Sequence, residues 1–187
     1  SMAEMEEAAK EAGIPLWKAV MEDDKRERHV SEEETMLKMR ERYHAMKQSD
    51  ADYEENLSSW SGLSGGDGAK MQRFVSQGNA VSGELMGEVI AGALKMGESN
   101  ACMKRIVAAP TAGACGVVPA VFLAYEKFYK IPERSMLEGM FLAAGIGQVI
   151  AHRASISGAQ GGCQAEIGSA SAMCAGALTH IRGGNTQ

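Results

Sequence analysis

The stretch SISGAQGGCQAEIGSASAMCAGALTHI, residues 155–181, decides how the rest of the chain reads. It opens as a glycine-rich loop through Cys163, and from Gln164 to Ile181 it carries the helical period. Across residues 154–176, 17 of 23 positions are Gly, Ala, Ser or Cys, so a helix here has little bulk and can lie close to a neighbour. Ala114–Lys130 and Glu133–His152 repeat the helical period, and no stretch shows the sustained alternation of a strand. The predicted fold is all-α: a compact helical domain with small-residue-rich helix crossings and glycine-rich loops at helix starts. Aromatic residues make up only 5% of the chain, and 13 methionines are available to fill irregular gaps.

Working outward, the composition divides near residue 58. Residues 1–57 hold one glycine, Gly13, with 16 acids and 9 bases; residues 58–187 hold the other 21 glycines with 8 acids and 10 bases. We therefore expect charged N-terminal helices over 1–57 and a glycine-rich helical core over 58–187. In the first region Ala3–Ala12 reads as an acidic helix stopped by Gly13. Ile14, Leu16, Trp17 and Val20 make an apolar stripe through about Glu22. Ser31 and Glu34 have capping-box spacing, and Met36, Met39, Tyr43 and Met46 continue a helix to about Leu57. The hydroxyl- and glycine-dense run Ser58–Asp67 is a loop, with helices expected over Gly68–Ser76 and Ser82–Met96. The opening Ser1-Met2 has the form of a proteolytic remnant ahead of an initiator methionine, outside the fold argument.

Several function classes are disfavoured. The net charge of −5 argues against a nucleic-acid footprint, which needs clustered positive surface. There is no run of 18 uncharged apolar residues, and no secretory leader pattern opens the chain.

Three glycine-rich loops lead into helices: Ser61–Asp67, Pro110–Gly116 and Ser155–Cys163. Glycines expose backbone N–H groups, and a helix N-terminus adds a positive dipole end, so each loop can cradle an anion. Helix junctions also use glycine for purely conformational reasons. None matches a phosphate P-loop or a strand-borne dinucleotide motif, which points to a smaller anion such as a carboxylate. The candidate binding residues are Ser61, Ser64, Gly65, Gly66, Asp67, Thr111, Gly113, Ser157 and Gly158. Lys70, with Asp67, is a charged pair in a charge-poor region, which either reaches solvent or serves a site; Lys70 is the candidate catalytic group.

Cys163 falls at a helix start, a position where thiols favour the thiolate that binds metal, although most isolated cysteines are structural. Cys102 and Cys174 read as core, and Cys115 is the second ligand candidate. No Cys-x-x-Cys pair exists, so zinc templates fail. His29 and His44 read as solvated and His152 and His180 as helix-end residues, with no triad spacing among them.

Ser61–Asp67, Ala109–Pro119 and Ser155–Glu166 together resemble the iron–sulfur-dependent L-serine dehydratase family, in its α (catalytic) subunit, over nearly the whole chain. The resemblance implies conversion of L-serine to pyruvate and ammonia by a cytoplasmic lyase of amino-acid degradation and gluconeogenesis. It also implies a [4Fe–4S] cluster on three cysteines, with one open iron acting as Lewis acid, and a β subunit as partner. Cys163 matches the first cluster cysteine; the other two stand in a Cys-Asp-Pro…Pro-Cys segment that this sequence does not contain. The chain thus reads as a C-terminally truncated piece, by itself cluster-free, inactive and prone to self-association. Alternative readings are an iron–sulfur L-cysteine desulfidase and a non-catalytic helical assembly module.

Overall fold

A computed structural model describes residues 1–185. Among them nine α-helices and one 3-10 turn form, and no strand, so the all-α expectation holds. None of the helices is long and apolar enough to cross a membrane. The chain divides into two units, residues 1–43 with 132–187, and residues 44–131. The change of composition at residue 58 falls inside the second unit.

The first unit begins with α1 (Met2–Ala12), where Ser1 is the N-cap of a complete capping box with Glu4 and Gly13 closes the C-terminus in the left-handed conformation. Ser1 is thus part of the fold. Helix α2 runs Leu16–Arg28, a turn and a half past the expected Glu22, because the pairs Glu22–Lys25, Asp23–Arg26 and Asp24–Arg28 support it at i,i+3 and i,i+4. Helix α3 (Glu32–Ala51) starts as foreseen: Ser31 Oγ accepts from Glu34 N at 3.1 Å while Glu34 Oε2 accepts from Ser31 N at 2.8 Å. Its portion through Tyr43 belongs to this unit. Helices α7 (Glu133–Arg153), α8 (Gly158–Gly161, one turn) and α9 (Cys163–Ile181) complete it.

The core of this unit lies between α7 and its neighbours α2 and α9. Trp17, Val20 and Met21 of α2 and Leu137, Met140 and Phe141 of α7 are all buried, with the Trp17 and Phe141 rings 6.3 Å apart. Arg134 covers Trp17 at 5.4 Å. Helix approach depends on missing side chains. A Cβ at Gly145 would stand 2.6 Å from Val20 Cγ2, and one at Gly147 would stand 2.9 Å from Met173 Sδ. Cys174 is buried on α9, as expected.

The second unit holds the end of α3, then α4 (Asp67–Ser76), α5 (Glu84–Ala101), the 3-10 turn Ala112–Ala114 and α6 (Val117–Tyr129). Helix α3 stops at Ala51, about six residues before the expected Leu57, and residues 52–57 form turns closed by Tyr53 N→Asp50 O and Leu57 N→Glu54 O. Helix α5 extends to Ala101, beyond the expected Met96, and α6 begins three residues after the expected Ala114 because the 3-10 turn intervenes. Cys102 is a correction: it is the half-buried residue just after α5, not a core residue. The Ala109–Pro110 bond is cis.

Helix α5 packs on both α4 and α6. Phe122, Ala91, Met96 and Val118 are buried, and Lys47 bridges to Glu126 at 2.8 Å. At Gly116 a Cβ would lie 2.8 Å from the Ala93 carbonyl oxygen, a backbone atom that cannot turn aside. Gly97, on the same α5, meets nothing within 4 Å. We therefore expect Gly116→Ala to destabilise by about 1–3 kcal/mol through overpacking, and Gly97→Ala to stabilise by about 0.5–1 kcal/mol through helix propensity. Urea unfolding of the two variants checks the opposite signs.

Candidate functional site

The loops of the second unit are held by one end of α5. Glu98, 8% exposed, accepts from the Asp67 N–H at 2.6 Å and the Gly68 N–H at 3.2 Å. Tyr53 Oη donates to its other oxygen at 2.6 Å and accepts from Ala69 N at 3.2 Å. Two residues on, Asn100 Nδ2 donates to the Ala112 carbonyl at 3.1 Å and lies 3.5 Å from Cys115 Sγ. The first and second glycine loops are thus both tied to the C-terminal end of α5.

Gly66, the N-cap of α4, offers no side chain, so the free N–H groups of the first turn find their acceptors on Glu98 and Tyr53 instead. Close approach is possible because residue 68 is glycine: a Cβ there would stand 2.9 Å from Lys95 N. Within the loop, Ser59 and Ser64 close a turn, with Ser59 N→Ser64 O at 2.8 Å and Ser64 N→Ser59 Oγ at 3.1 Å. Ser61 Oγ accepts weakly from Leu63 N at 3.4 Å and pairs with Ser59 Oγ at 3.1 Å. Gly65 and Gly66 both have positive φ, and a Cβ at Gly65 would run into the Leu57 carbonyl. Their N–H groups donate to nothing among the described residues.

The predicted residues sort out as follows. Ser61, Ser64, Gly65, Gly66 and Asp67 line the first loop; Thr111 caps the 3-10 turn, which contains Gly113. Ser157 and Gly158 lie in the first unit, where Ser157 N donates to Ser155 Oγ at 3.1 Å and begins the short α8. Lys70 pairs with Asp67 at 2.8 Å, with 69% and 61% of the two side chains exposed. Cys163 is the first residue of α9 and is exposed, following Gly162 at φ 75°, ψ 177°. Cys115 is buried, and burial pushes its thiol above the ordinary range despite the Asn100 contact. Burial pushes Cys174 up to about 12.

Sequence reasoning missed Glu98, Tyr53 and Asn100. The signal for Glu98 was present: it stands seven residues after buried Ala91 on the same helical face, and an acid on an apolar stripe needs partners.

A four-iron cluster does not fit this chain's described residues taken alone. Among them no three His, Cys, Asp or Glu side chains gather into a metal-binding group. Cys163 and Cys174 are eleven residues apart on one straight helix, about 16 Å along its axis. Only Cys163 among the cysteines is fully exposed.

The geometry is that of a helical protein whose first two glycine loops are tied to one helix end, with the Gly65 and Gly66 amides left without an acceptor among the described residues. Comparison with known proteins narrows this. The sequence profile of the family described as "Serine dehydratase alpha chain" matches residues 11–187, and the chain belongs to that family. It is 34% identical to the L-serine dehydratase alpha chain of Peptoniphilus asaccharolyticus over 98% of this chain and 63% of that one. It is 42% identical to the "Probable L-serine dehydratase, alpha chain" of Bacillus subtilis, over 71% of this chain and 44% of that one. An L-serine dehydratase of Haemophilus influenzae is 50% identical over half of this chain and 21% of its own length. The chain therefore spans less than two thirds of these relatives. No solved structure matches it.

Two tests follow from this geometry. Burial, and then the hydrogen bond to Glu98, push Tyr53 from 10.0 up to about 12. An acid whose folded pKa is raised keeps its stability contribution below its unfolded value and loses it as pH rises through the folded one. Urea midpoints should therefore fall in wild type between about pH 10 and about pH 12 by an increment that Tyr53→Phe lacks. In alkylation of the native protein, Cys163 should label first and Cys102 more slowly, while Cys115 and Cys174 label only on unfolding; peptide mass mapping reads the order.

Proposed function

We propose that this chain forms the loop-bearing part of an L-serine ammonia-lyase that converts L-serine to pyruvate and ammonia. The family match over residues 11–187 carries the reading, and the open amides of Gly65 and Gly66 support it chemically. Overall, serine loses its α-proton and β-hydroxyl as water to give 2-aminoacrylate. Tautomerisation to the imine and uptake of water then release pyruvate and ammonia.

The substrate carboxylate is assigned to the first loop, where the Gly65 and Gly66 N–H groups and the Ser61 and Ser64 hydroxyls are the available donors. Oriented amides suit this task because they bind an anion without adding a titratable group. Asp67 gives its own N–H to Glu98, so its exposed carboxylate is the part left to act, and Lys70 beside it is the candidate proton-transfer group. Thr111 and Gly113 complete the proposed binding set of the second unit, and Ser157 and Gly158 are proposed as binding residues of the first unit's own loop. Cys163 is the one thiolate this chain would contribute to a [4Fe–4S] cluster. A β subunit as partner, self-association, and a cytoplasmic role in amino-acid degradation and gluconeogenesis belong to the same reading.

The test uses the whole protein, reconstituted anaerobically with iron and sulfide. Pyruvate should form from L-serine, and Cys163→Ala should abolish it. Faster sulfide release from L-cysteine would replace this reading with a desulfidase. If neither substrate turns over and loop substitutions change only stability, the helical assembly module is the better description.

A further inference from the structure

Glu98 is a buried carboxylate that the proposed chemistry does not use, and burying one is costly unless it is hydrogen-bonded on several sides. Here it is. It collects the N–H groups of Asp67 and Gly68 and the hydroxyl of Tyr53, at the positive end of α4. The cap of α4 therefore comes from a residue thirty positions away on another helix, where a local Ser, Thr, Asp or Asn would ordinarily supply it.

Its consequence for the loop is specific. The anion-binding end of α4 is already filled by an internal carboxylate, so the Asp67 and Gly68 amides are not free for an outside ligand. The donors left open are the two immediately upstream, Gly65 and Gly66, both at positive φ and both half-buried. Those two glycines are joined directly to the turn that Glu98 holds. Gly68 lets that turn press against Lys95, and Asn100 ties the second loop to the same helix end.

We infer that Glu98 is a positioning residue for substrate binding: by occupying the N-terminus of α4 it sets where the Gly65 and Gly66 N–H groups stand for the substrate carboxylate. This rests on the proposed serine lyase reading and deepens it. Glu98 itself does not touch substrate.

The role differs from a merely structural one in what it does to KM. Donors that hold the carboxylate equally in the ground and transition states change KM with kcat preserved when they are displaced. Loss of folded protein lowers the apparent kcat and leaves KM alone. Glu98→Gln keeps the shape and removes the charge, and Glu98→Ala removes the acceptor. In the reconstituted whole protein, both should raise KM for L-serine by about tenfold or more, with kcat per folded molecule within about twofold. Formate added to Glu98→Ala should bring KM back toward wild type by refilling the vacated carboxylate position. In parallel, amide hydrogen exchange at Asp67, Gly68 and Ala69 should be slow in wild type and fast in Glu98→Ala. If wild type turns over serine and KM is unchanged in Glu98→Gln, the inference is overturned, whatever happens to Tm. If wild type makes no pyruvate from L-serine, the functional reading falls first and takes this inference with it.

Discussion

How closely the helices approach one another is the constraint on which everything else in this chain depends. With 5% aromatic residues, each unit has few large rings to fill space, and each also brings its helices close at glycines. At Gly145 and Gly147 of α7 and at Gly68 and Gly116 against α5, an added methyl would overlap an atom of the neighbouring helix. Dispersion contacts are individually small, but they depend steeply on distance, so many short-range contacts across closely approaching helices can replace fewer between bulky side chains. The hydroxyls in such helices are satisfied internally. Ser169, buried on α9, donates to the Ala165 carbonyl four residues earlier at 2.5 Å, which lets a small polar residue sit inside the packing without water, and the exposed Ser171 and Thr179 make the same bond at 2.7 and 2.8 Å.

Close approach also explains how a glycine-rich loop can be ordered. Glycine raises the conformational entropy that folding must overcome, so a loop with this composition needs anchors. The first loop has them at its exit, where Glu98 and Tyr53 hold three successive amides of α4, and internally, where Ser59 closes on Ser64. What is left unanchored is the pair of amides in between. Those amides are held in place from both sides, so the proposed binding of a carboxylate there would carry little ordering cost.

Much of the fold was legible in the sequence because helical period and capping chemistry are local. The Ser31–Glu34 capping box and the Gly13 stop appear where they were read. Helix ends were less legible where tertiary contacts decide them. The expected helix to Leu57 gives way after Ala51 to turns that bring Tyr53 to Glu98, a partner 45 residues away that no local pattern announces. The loops of the candidate site were readable from their glycines. The residues that organise them were less so: the apolar face of α5 marks Glu98 as an acid in need of partners, but no local pattern says that those partners are Tyr53 and the first turn of α4. Cys102 was misread for a related reason: it follows an apolar helix but sits just beyond its end.

The non-local cap has a bearing on how the second unit comes apart. At ten residues, α4 is too short to persist as an isolated helix, and its first turn has no side-chain cap of its own. Its start is therefore only as stable as the last turns of α5. Fraying there releases Glu98 and Asn100 together, and with them the hold on both glycine loops. The first loop, the start of α4 and the end of α5 make one cooperative opening unit, so motion in any of them is shared by the others.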